Sequence, residues 1–133
     1  MIKLIVGRKG SGKTKQLIDM MNAAAVKDHG SIVCVEKGAK LTFDIPHSIR
    51  LVDTDHYSIV GYEAFYGFVA GILAGNYDIT DLFIDSVLKI GSSDLSDLGT
   101  FLDKVNALEN EANIVLTVSA DASELPESVK KYL

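Results

Sequence analysis

Residues Gly7, Arg8, Lys9, Gly10, Ser11, Gly12, Lys13 and Thr14 satisfy every fixed position of the phosphate-binding pattern G-x-x-x-x-G-K-[ST], directly after the apolar run Ile2 to Val6. Glycines at 7, 10 and 12 let the backbone curl tightly, so that successive N–H groups point inward at phosphate oxygens. Lys13 is placed to reach the β and γ phosphates as a point charge, and the Thr14 hydroxyl to ligate Mg2+. The helix expected from Lys13 turns its positive end toward the same anion. The competing expectation is a glycine-rich turn with no ligand. The strand-loop-helix setting of the pattern argues against it.

A second group lies downstream. Leu82-Phe83-Ile84-Asp85 reads as a buried strand that delivers an aspartate at its carboxyl end, where parallel sheets place ligands. Asp85 is expected to hold magnesium through water. The alternative is a turn or helix-capping aspartate before Ser86. Asp81, at the start of the same run, is expected at the opposite end of the sheet and is a poor magnesium ligand.

The elements that must position these residues alternate between strand and helix. Apolar runs predict strands over Ile2 to Val6, Ser31 to Glu36, Ile49 to Val52, Asp81 to Asp85 and Asn113 to Val118. Helical spacing predicts helices from Lys13 to about His29, Ser58 to Ala74, Asp94 to Asn110 and Pro126 to Tyr132. Residues 37 to 48, with Gly38 and Pro46, read as a loop or minor strand around Leu41-Thr42-Phe43. This alternation implies right-handed crossovers and a parallel sheet covered on both faces. The length, 133 residues, and 47% apolar composition fit one domain spanning residues 1 to 133.

The two motifs resemble those of the P-loop NTPase superfamily. The Leu82 to Val87 stretch, Leu-Phe-Ile-Asp-Ser-Val, resembles the aspartate-serine form of the Walker B element in the RecA-like branch. The resemblance implies an α/β fold of three layers, αβα, with a mainly parallel five-stranded sheet in the order 3-2-4-5-1. It also implies ATP and Mg2+ as ligands, bound by residues 7 to 14 with Thr14 and Asp85 on the metal. In that branch the water-orienting glutamate ends the strand after the first helix, a place held here by Glu36; a simply solvated strand-end carboxylate is the alternative. Thr117 or Ser119, near the end of the last strand, falls at the family's polar sensor position. One departure is Ser86, where many hydrolysing members carry a glutamate.

Charge and missing motifs narrow the reading. A formal charge of -5 with dispersed lysines argues against a nucleic-acid partner. The single cysteine, Cys34, excludes an intramolecular disulfide and is expected as a small core residue; a reducing cytoplasm fits. No secretory signal is read at the N-terminus, so the mature chain is expected to start at residue 1. The apolar segment from 59 to 75 is short for a membrane span and is expected as a buried helix. Histidines 29, 47 and 56 show no metal spacing.

The guanine-reading N-K-x-D element is absent, which leaves adenine by elimination. Only Arg8, inside the loop, and Arg50, at the start of strand three, are available as arginines; Arg50 is the remaining candidate finger, and without one intrinsic turnover is expected to be slow. Small-molecule kinases share the loop and the size, but the arginine-rich lid they use is missing. The expectation is an ATP-binding protein and slow Mg-dependent ATPase acting as a switch or assembly factor. Its rival is a nucleotide-binding interaction module without significant hydrolysis. Strand one is expected at a sheet edge, covered by the C-terminal helix, by a second copy of the chain or by a protein partner. The helix over 58 to 74 is a second expected docking surface.

Overall fold

A computed structural model describes residues 1 to 27 and 30 to 133. The strands are β1 (Ile2–Gly7), β2 (Ser31–Glu36), β3 (Ile49–Asp53), β4 (Ile79–Ile84) and β5 (Asn113–Ser119). The helices are α1 (Lys13–Lys27), α2 (Tyr62–Gly75), the single turn α3 (Val87–Ile90), α4 (Leu95–Asn106) and the short α5 (Glu127–Lys130). All strand pairings are parallel, in the order β1-β5-β4-β2-β3. Read from the other edge this is the expected 3-2-4-5-1.

The near-continuous apolar strands follow from burial on both faces. Ile5, Ile32, Cys34, Phe83 and Val115 pack on one side with Leu17 and Met21 of α1. Leu4, Val33, Val35, Leu82, Ile84 and Leu116 pack on the other with Phe65 of α2 and Leu98, Phe101 and Leu102 of α4. Phe65 and Phe101 stack with centroids 5.2 Å apart, tying α2 to α4. Cys34 is a core residue as expected; burial pushes its thiol up to about 12.

Several boundaries differ from expectation. β4 runs from Ile79 to Ile84, so Asp85 stands just beyond the strand. The second helix starts at Tyr62, because Thr54–Tyr57 first forms a 3₁₀ turn capped by Asp53 and closed by Ser58 at φ 57°. α4 begins where the Asp94 carboxylate accepts from the Asp97 amide at 3.0 Å, and it ends at Asn106, short of Asn110. The proposed end of α1 at His29 lies outside the described residues.

Residues 41 to 43 form turns and no strand. Leu41 and Ile45 are nevertheless buried against the α1 side of the sheet, so the β2–β3 connection covers that face without a helix. The expected cover on β1 is present at one point: the Leu4 amide donates to the Tyr132 carbonyl at 3.1 Å, just past α5. No helix among the described residues is long and apolar enough to cross a membrane.

Candidate functional site

Strand register assembles the site. Val35 pairs with Ile84, and Ile84 with Leu116, so the next residues along, Glu36, Asp85 and Thr117, fall in one row across β2, β4 and β5. Two residues earlier on each strand stand Cys34, Phe83 and Val115, all packed on the α1 side. Alternation therefore sends Glu36, Asp85 and Thr117 toward that same side, where the glycine-rich loop enters α1.

The loop is built from its glycines. Gly10 and Gly12 sit at φ +83° and +87°, where a side chain is strained even though no atom lies within 4 Å of a Cβ built there. At Gly7 a Cβ would run into the Ser11 hydroxyl. The Ser11 amide donates to the Arg8 carbonyl at 3.1 Å, and the Gln16 amide to the Gly12 carbonyl at 3.1 Å, so helical bonding starts at the loop's last glycine. Lys13 is only 8% exposed, and its Nζ donates back across the loop to the Arg8 carbonyl at 2.9 Å. Lys9 and Ser11 are exposed on the outer turn.

Asp85 is the centre of the polar network. Its carboxylate is 7% exposed and accepts from the Thr14 hydroxyl at 3.3 Å to each oxygen, and from the Thr117 hydroxyl at 2.7 Å. Its amide donates to the Val35 carbonyl at 2.9 Å, which fixes the residue beside β2. Ser86 then turns away in the left-handed region, φ 57°, and its amide donates to Thr117 Oγ1 at 2.6 Å. The buried Thr117 hydroxyl thus gives one bond to the carboxylate and takes one from the next amide. Of the two hydroxyls named from the sequence, Thr117 meets Asp85, while Ser119 lies exposed opposite Gly7.

Glu36 is 4% exposed, so it is not a solvated strand-end carboxylate. Its Oε2 accepts from the Leu41 amide at 2.9 Å, anchoring the β2–β3 connection. Burial raises its pKa above the ordinary glutamate value, and the neighbouring charge of Asp85 raises it further against the amide bonds that lower it. Glu36, Asp85, Thr14, Leu41, Lys40 and Lys89 are among the residues enclosing a cavity of about 170 Å3.

One ion pair escaped sequence reasoning. Arg8 reaches Asp121, in the turn after β5, at 2.9 Å, and so ties the loop to the carboxyl end of the neighbouring strand. Bonds from the Ser123 amide and hydroxyl, and then the Arg8 guanidinium, hold the Asp121 carboxyl below the usual carboxylate range. Asp121 and Glu124 form a capping box, a spacing visible in the sequence that marks the turn but not its partner. Arg50 lies exposed on the outer strand β3.

The donor set fits magnesium. Thr14 and Asp85 supply hard oxygens close together, and Mg2+ is usually held by one or two carboxylates with phosphate and water completing its shell. Among the described residues no three His, Cys, Asp or Glu side chains cluster into a metal cage. A larger cavity, about 730 Å3, opens at the other end of the sheet beside Ala24, Leu73, Tyr77 and Asp81. Asp81 is where the sequence placed it, bonded by the Thr80 hydroxyl at 2.8 Å and remote from the loop. Parallel sheets present ligands at their carboxyl ends, which is where the smaller cavity lies, beside Thr14, Glu36 and Asp85.

No family model matches the chain, and no curated protein sequence matches it. Solved structures do. The flagellar accessory protein FlaH from Methanocaldococcus jannaschii superposes with a TM-score of 0.60 at 19% identity over 98% of this chain. PCH-2 of C. elegans superposes with a TM-score of 0.59 at 18% identity, again over 98%. The chain spans 65% of the length of the first and 33% of the second. At these identities the likeness establishes the fold alone, an α/β arrangement with a five-stranded parallel sheet in the order β1-β5-β4-β2-β3.

Proposed function

We propose that this chain binds ATP with magnesium through residues 7 to 14 and hydrolyses it slowly, using the bound nucleotide as a switch or assembly signal. The observation that carries the reading is the convergence of the Thr14 and Thr117 hydroxyls on Asp85 beside the loop entering α1. Backbone amides of the loop and Lys13 hold the phosphates. Thr14 and Asp85 hold the metal, which when bound draws charge from the terminal phosphate. Thr117 fixes the carboxylate's orientation, and Glu36 stands on the same wall to position a water.

A second reading has its own observation. The Glu36 carboxylate already accepts the Leu41 amide, and Ser86 follows Asp85, so the site is equally built to hold nucleotide without turning it over. Phosphate release from magnesium ATP separates the two, with Lys13→Ala as the site control. Turnover lost in both Glu36→Gln and Lys13→Ala, with ATP still bound by Glu36→Gln, supports hydrolysis. Binding without turnover in the wild-type chain supports the module. As a switch, the protein captures its partner, a second copy or another protein docked on the β1 edge or α2, only in one nucleotide state. Capture that ignores ATP removes the switch.

A further inference from the structure

We infer that Lys40 and Lys89 read the terminal phosphate, so that this chain distinguishes ATP from ADP with lysines of its own where others use a neighbour's arginine. The inference rests on the nucleotide-binding reading above. Both lysines line the cavity of about 170 Å3 that also contains Thr14, Glu36 and Asp85. Lys40 belongs to the β2–β3 connection and Lys89 to α3. Lys40 immediately precedes Leu41, whose amide is clamped by Glu36 at 2.9 Å, so its backbone is held at the rim on the β2 side. Lys89 is on α3, and its amide donates to the Ser86 carbonyl at 2.9 Å, within one turn of Asp85.

Charge makes the same assignment. Glu36, Asp44 and Asp85 all line this space, so an anionic phosphate entering beside them needs cations. Lys13 serves the loop. Lys37, the third lysine at the cavity, is committed to Asp55 at 2.6 Å. Arg8 is committed to Asp121, and Arg50 is on the outer strand. Among the described residues Lys40 and Lys89 form no ion pair, and both are exposed enough to swing.

Size limits what enters. At about 30 Å3 per water, the cavity has room for roughly five or six water-sized groups. A phosphoryl group with its waters fits there. The pair therefore acts on the nucleotide's own γ phosphate, which ADP lacks.

The test is titration calorimetry of magnesium ATP and magnesium ADP on the wild-type chain, Lys40→Ala, Lys89→Ala, the double variant, and Lys27→Ala as a charge control at the other end of the sheet. Exposed charges carry modest energies, so the double variant is expected to lose about tenfold in ATP affinity, about 1.4 kcal/mol. Its ADP affinity should stay within about twofold, and Lys27→Ala should match wild type. Equal losses for ATP and ADP, or no loss for either, overturn the inference while leaving nucleotide binding intact. If the wild-type chain binds neither nucleotide, the phosphate-loop reading fails and the inference goes with it.

Discussion

Replacing Thr117 with valine isolates the hydroxyl that organises the site. The side chain is 1% exposed, and valine fills the same volume, so packing is nearly conserved. Two bonds are lost: the 2.7 Å donation to Asp85 and the 2.6 Å acceptance from the Ser86 amide. Asp85 keeps Thr14 as a donor, but the Ser86 amide is left without its partner in a backbone held at φ 57°. A buried group stripped of its bond, together with a lost bond to a carboxylate, costs about 2 to 3 kcal/mol after partial relaxation. With an unfolding entropy of about 2.1 cal/mol/K per residue, 133 residues convert this to a fall in melting temperature of about 7 to 11 °C. Calorimetric or fluorescence melts of Thr117→Val and Thr117→Ser measure it. Serine retains the hydroxyl and should recover most of the loss. A drop under about 2 °C for valine, or a serine variant no better than valine, would refute the bridging role.

Two further outcomes follow from the same geometry. Because burial raises the folded-state pKa of Glu36 above its unfolded value, its contribution to stability is fully present below the unfolded value near 4.5 and is lost as pH rises through the folded value. Glu36→Gln keeps an acceptor for Leu41 and should melt above wild type at pH 7, the gap closing as pH falls toward 4.5; melts across that range decide, and a gap that widens in acid contradicts the reasoning. Gly12→Ala meets no atom within 4 Å but must adopt φ near +87°, so about 1 to 2 kcal/mol of backbone strain is expected, with loss of the melting shift produced by magnesium ATP. An alanine variant with unchanged melting and unchanged ATP response would show that the loop does not need this glycine.

Much of this was legible in the residues themselves because its causes are local. A glycine's access to positive φ, the charge of Lys13 and the opening of a helix act within a few positions, so the tight glycine turn between β1 and α1 could be read directly. Apolar runs that must be covered on both faces gave β2 to the residue and the alternation of the whole sheet. The start of α4 at Asp94 was legible, but its end at Asn106 and the 3₁₀ turn after Asp53 were less visible because propensity continues past them. The order of strands came from a resemblance, and the structure has it.

What only the tertiary structure decided is which strand ends meet. Register in a parallel sheet is set by packing across helices and neighbours: a shift of one residue sends a side chain to the other face, and a shift of two changes which residue of the same face meets a given partner. That is why Thr117 rather than Ser119 stands on Asp85, why Glu36 is buried on the Leu41 amide rather than solvated, and why Arg8 finds Asp121 across 113 positions. Lys40 and Lys89 come to one cavity for the same reason: β2 and β4 are neighbours and end level with each other. Local chemistry determined how the loop turns, and long-range pairing determined which side chains surround it.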